Sequence, residues 1–127
     1  MAIIVNSDLY SNIFVWQVSS DICELVFKIN LKNLIKTSLE DKDIKEVEIA
    51  SVELFFKLKA LVVTSLDNRI MLISPQMVVK EIKFDHSFDN FINQLSCCHV
   101  FEHNKNIYIS LGFSNGKVIL EDIKKVI

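Results

Sequence analysis

Apolar residues in this chain come in short runs, and the shortness of those runs limits the folds open to it. Clusters of Ile, Val, Leu and Phe recur along most of the sequence and are cut off by Asn, Asp or Ser before they reach helical length. That punctuation, with period-two alternation inside the runs, is the pattern of antiparallel strands joined by turns. About ten strands are expected: Ala2 to Val5, Ile13 to Val18, Ile22 to Lys28, Val47 to Phe55, Ala60 to Ser65, Arg69 to Ser74, Val78 to Phe84, Phe91 to Ser96, Asn106 to Leu111 and Lys117 to Glu121. Asp67-Asn68 and Ser114-Asn115-Gly116 supply residues that tolerate left-handed backbone, so tight reversals are expected there.

Composition narrows the function classes. With 127 residues, half of them hydrophobic, the chain is large enough for one domain with a real core. Two Gly and one Pro leave no glycine-rich loop to cradle a phosphate. Fourteen basic against sixteen acidic residues give a net charge of -2, so no global basic field collects nucleic acid or an anionic membrane. Three cysteines, of which Cys97 and Cys98 are neighbours that cannot pair without strain, point to a reduced, intracellular setting. The opening MAIIVNSDLY has no basic region ahead of its short apolar run, and no window approaches the roughly 18 apolar residues of a membrane helix. A soluble, unprocessed protein is expected.

One segment breaks the strand pattern. In Leu31 to Lys45, Leu31, Leu34, Ile35 and Leu39 recur at helical spacing before the charges Glu40, Asp41, Lys42 and Asp43. The spacing fits a short amphipathic helix, and the segment reads as a solvated insertion between strands, with a docking helix for a partner or a disordered stretch as the alternatives. Leu120 to Ile127 carries a second helical signal that competes with a strand, and the strand is the preferred reading.

Three pieces of sequence align as internal repeats: Asn12-Ile13-Phe14-Val15-Trp16-Gln17-Val18, Arg69-Ile70-Met71-Leu72-Ile73-Ser74-Pro75 and Lys117-Val118-Ile119-Leu120-Glu121-Asp122-Ile123. The first two run through a polar turn into another apolar strand, and each piece is entered from a small polar turn. Trp16 and Asp122 stand where a strand would end in Trp-Asp, and Asp85-His86-Ser87 stands where a Gly-His pair would open a repeat. The pattern is similar to the third and fourth strands of blades in the WD-repeat β-propeller family, and it covers nearly the whole chain. The resemblance implies an all-β fold of antiparallel four-stranded, blade-like sheets, a partial WD-repeat-like β-propeller. Its blade equivalents would span about 1–30, 46–84 and 91–127, with 31–45 as an insertion. Counting strands, the first blade would lack its innermost strand and the third its outermost. Propellers close with about four to eight blades, so three would leave two open flanks.

Several residue groups invite a chemical reading. His99-Val100-Phe101-Glu102-His103 matches the H-x-x-E-H pattern of certain zinc proteases, which needs both His on one helical face and the Glu as base. Here it lies among strand runs beside the turn residues Asn104-Lys105-Asn106, so a surface hairpin loop is expected. Cys97, Cys98, His99 and His103 offer a single metal knuckle where structural zinc sites use two. Cys23 reads as a small core residue and Trp16 as a buried one. No Ser sits in a nucleophile elbow. No catalytic, cofactor-binding or metal residue is therefore expected.

The function expected is a non-enzymatic protein–protein interaction scaffold, a subunit of a larger complex whose open sheet edges are covered by other protein subunits or by self-association. The alternative is a small α+β assembly factor or chaperone, with helices at Leu31 to Leu39 and in the C-terminal LEDIKKVI packed on one sheet.

Overall fold

The computed structural model describes residues 2–8, 10–39, 46–82 and 95–126, and these form a mostly β protein. The strands are β1 (Ala2–Ser7), β2 (Asn12–Val18), β3 (Cys23–Asn30), β4 (Ile49–Phe55), β5 (Ala60–Ser65), β6 (Ile70–Ile73), β7 (Val79–Ile82), β8 (Leu95–His103), β9 (Asn106–Phe113) and β10 (Val118–Asp122). Helix α1 (Leu31–Ser38) follows β3, a single 3-10 turn covers Phe56–Leu58, and α2 (Ile123–Val126) follows β10. Each strand pairs with its neighbour in sequence, giving three antiparallel meanders: β1-β2-β3, β4-β5-β6-β7 and β8-β9-β10. Among the described residues no sheet closes on itself.

The three sheets are stacked, with the second in the middle. Every residue of β5 and β6 is buried, and their sequences ALVVTS and IMLI accordingly do not alternate. Continuous apolar runs are what a strand needs when both of its faces are covered. Val63 and Met71, paired across the two strands, face the first sheet and pack with Ile13, Ile29 and the α1 residues Leu31 and Ile35. Val62 and Leu72, the next pair along, face the third sheet and pack with Val100, Ile109 and Leu111. Two cores thus share one sheet.

The leading strands β1, β4 and β8 lie together, β4 between the other two. At the far side of the stack α1 packs between β3 and β7. Asn30 starts this helix, its side-chain oxygen accepting from the Asn33 N–H at 3.0 Å. Ser38 ends it, its hydroxyl accepting from the Val79 N–H at 3.1 Å and so covering part of the outer edge of β7. Buried Ser11 ties the first sheet to the second: its N–H donates to the Val47 carbonyl at 2.9 Å, and its hydroxyl accepts from the Val47 N–H at 2.9 Å. The segment 31–39 is therefore a packed structural wedge in which Leu31 and Ile35 are core residues, and this differs from a solvated insertion.

Other expectations are corrected by strand order and burial. Ile13 and Val15 lie on the second strand of their sheet, whereas Ile70, Leu72, Val118 and Leu120 lie on the third of theirs, so the three aligned pieces do not occupy equivalent strands. β1 sits beside β4 as β8 does, and the first and third sheets have three strands each where the second has four. The C-terminal strand stops at Asp122 and Ile123 turns into the second core as the start of α2, a buried anchor that a longer strand would have carried past the sheet. His99 to His103 is strand rather than loop, because the hairpin turn falls at Asn104 and Lys105, which both take positive φ (49° and 67°). The Asp85-His86-Ser87 piece and residues 83–84 and 91–94 of two expected strands lie outside the described residues.

Double-sided burial makes a direct energetic test. Ile70→Ala and Met71→Ala, neighbours facing opposite cores, should each lower stability by about 2–5 kcal/mol in urea unfolding. Leu25→Ala on exposed β3 should cost no more than about 0.5 kcal/mol, and equal costs at all three positions would contradict the stacked arrangement.

Candidate functional site

The two outer faces of the stack carry exposed apolar side chains. On the first sheet, strand alternation sends Ile13 and Val15 inward and leaves Ile4, Phe14, Trp16 and Leu25 on the outer face, where Ile4 and Leu25 are exposed. Contrary to the expectation of a buried residue, Trp16 is half-buried there and enters neither core, its Nε1–H donating to Asn6 Oδ1 at 3.0 Å. Lys28 Nζ lies 5.9 Å from the Phe14 ring centroid, a cation over an aromatic on the same face. Cys23 is likewise exposed, since its partner Val18 belongs to this outer row.

The third sheet carries a second such face. Val100, Ile109 and Leu111 point into the core, which leaves His99, Phe101, Tyr108, Val118 and Leu120 on the other side. Phe101 stacks between His99 and Tyr108, with ring centroids 5.9 and 5.8 Å away. Val118 and Leu120 project beside this aromatic row on a strand with no neighbour beyond it among the described residues.

An apolar cleft of about 310 Å³ opens between the first and second sheets. Ile29, Leu61 and Ile73 form its floor, exposed Phe27 and Phe56 flank it, and Lys59 is the one charged residue of its lining. The 3-10 turn presents Phe56 because Lys59 takes left-handed backbone (φ 49°) to re-enter β5, a conformation that costs a non-glycine residue energy.

At the seam between the second and third sheets, β4 and the turn after it meet the edge of β8. Of the residues singled out above, the structure brings together His99, Glu102 and Cys98 there, while Cys97 and His103 are exposed on the outer face of the third sheet. Glu53 on β4 grips β8 twice: Oε1 lies 3.0 Å from His99 Nδ1, and Oε2 accepts from the Val100 N–H at 3.2 Å. Val100 pairs with Ile109 at a position whose N–H points away from β9, so Glu53 satisfies an edge group that would otherwise face solvent. Lys57 pairs with Glu102 alongside. Strand geometry separates the members of the H-x-x-E-H piece, because His99 and His103 share one face of β8 while Glu102 lies on the other. Among the described residues no three His, Cys, Asp or Glu side chains gather as they would around a metal ion. Cys98 faces the seam, and burial first, then the charge of Glu53, pushes its thiol up to about 12.

Glu53 is the residue that sequence reading missed. An acidic residue inside an apolar strand run was the available signal, but its partners stand 46 and 47 positions away, beyond the reach of local pattern.

The seam yields a chemical test. Because the Cys98 thiolate is scarce below pH 12, iodoacetamide at pH 8 should label exposed Cys23 and Cys97 in the folded protein and Cys98 only after unfolding, as read by peptide mass spectrometry. Equal labelling of all three would contradict the packing of β8 on β4. No protein-family model matches the chain, nor does any curated protein or solved structure.

Proposed function

We propose that the protein is a non-enzymatic interaction scaffold, a β-sheet subunit of a larger assembly in the manner of a partial WD-repeat-like propeller. The observation that carries this reading is the pair of apolar outer faces, Ile4, Phe14, Trp16 and Leu25 on one side of the stack and Phe101, Tyr108, Val118 and Leu120 on the other. A soluble domain rarely leaves contiguous apolar patches uncovered, and rigid sheets suit recognition by shape rather than by charge. The stacking of meanders with their leading strands together supports the propeller analogy, and the three-, four- and three-stranded sheets support an arc that others complete. The cleft with Phe27 and Phe56 at its mouth adds a seat for an apolar side chain of a partner.

Burial of the outer faces is the function in this account, so the chain isolated from its own cells should carry a stoichiometric protein partner or a further copy of itself. Ile4→Asp combined with Leu25→Asp should release what covers the first sheet while leaving the circular dichroism spectrum unchanged. Recovery as a well-folded 14.6 kDa monomer with nothing bound would contradict the proposal.

A further inference from the structure

β10 forms the outer edge of the third sheet among the described residues. In the β9–β10 hairpin the Phe113 N–H donates to the Lys117 carbonyl at 2.9 Å, which makes 113 with 117 a hydrogen-bonded pair. Such pairs alternate along an antiparallel ladder. Ile119 opposite Leu111 and Glu121 opposite Ile109 are therefore bonded to β9, whereas Val118 and Leu120 turn their N–H and C=O groups outward. Both also carry exposed apolar side chains, 67% and 58% accessible. The β9–β10 register runs without a bulge, so nothing bends this edge away from a neighbour; β3, the corresponding edge of the first sheet, pairs with β2 through a register shift opposite Val15 and Trp16.

We infer that two copies of this chain associate through antiparallel pairing of β10 about a two-fold axis at Ile119, joining their third sheets into one six-stranded sheet. This inference rests on the scaffold reading and names a second copy as the occupant of one flank. A two-fold axis perpendicular to the sheet keeps each face on its own side, so residues opposite each other must share a face. Centring on Ile119 sets Val118 against the partner's Leu120, which are both outward-pointing groups and exchange N–H···O=C bonds. The same register sets Lys117 against the partner's Glu121, opposite charges on the other face, and the axis repeats both pairings. Shifting the axis to Leu120 would instead place Val118 against the partner's Asp122 and Ile119 against the partner's Glu121, an apolar residue facing a carboxylate each time. Charge and hydrophobicity both select the Ile119 register.

Sedimentation equilibrium over a micromolar concentration range, with four proteins compared, tests this. The unaltered chain should be a dimer. Lys117→Glu places like charges across the interface twice and should raise the dissociation constant about tenfold, and combining it with Glu121→Lys should restore dimerisation. Leu120→Pro deletes an outward N–H that β9 does not use, and should leave a folded monomer by circular dichroism. A dimer indifferent to all of these changes would overturn the β10 interface while leaving the scaffold reading standing. A monomeric unaltered chain would overturn self-pairing, and the scaffold reading would then depend on a different protein at that flank.

Discussion

Everything else in the molecule depends on the burial of β5 and β6 from both sides. A sheet with two apolar faces is insoluble alone, and the chain resolves this by folding its preceding and following meanders onto opposite faces. Val62 and Val63 are adjacent in sequence yet belong to different cores, so neither core can form fully without the strand that carries both. The outer sheets have no such relation to each other, because each needs only its one covered face.

That asymmetry explains which edges are managed and which are not. Where strand edges lie inside the stack, side chains satisfy them: Glu53 accepts from Val100, Ser38 from Val79, and Asn68 Oδ1 from the Leu95 N–H at 2.7 Å. Ser51 and Thr64 bond to each other across β4 and β5 at the point where hydroxyls would otherwise be buried alone. On the outward faces Ile4, Leu25, Val118 and Leu120 stand exposed, and β3 and β10 have no further neighbour strand among the described residues. This contrast between paired polar groups inside and exposed apolar groups outside is what the proposed contact role rests on.

The sequence made the strands legible because its turn residues are explicit: Asn68, Asn104, Lys105 and Gly116 all take positive φ between paired strands. It made the amphipathic stripe of α1 legible through Leu31, Leu34 and Ile35. Strand rank was not legible, since Ile13-Phe14-Val15 and Ile70-Met71-Leu72 look alike although one lies second and the other third in its sheet. Local composition records that a strand is apolar, whereas rank depends on which strand leads the meander. The fates of Cys23 and Trp16 were misread for a related reason: an alternating strand has two faces, and only the sheet packed against it decides which is inside. The grip of Glu53 on β8 is a long-range match that no local window contains.

The central claim is that the middle sheet is the keystone of the stack, and native-state hydrogen exchange tests it most directly. Amides of β5 and β6 should exchange only through global unfolding and set the upper limit of protection, with β3 and β10 opening at far lower free energy. Protection in β1-β2-β3 or in β8-β9-β10 that equals or exceeds that of β5 and β6 would contradict it, because a flanking meander would then be stable without the sheet it is held to need.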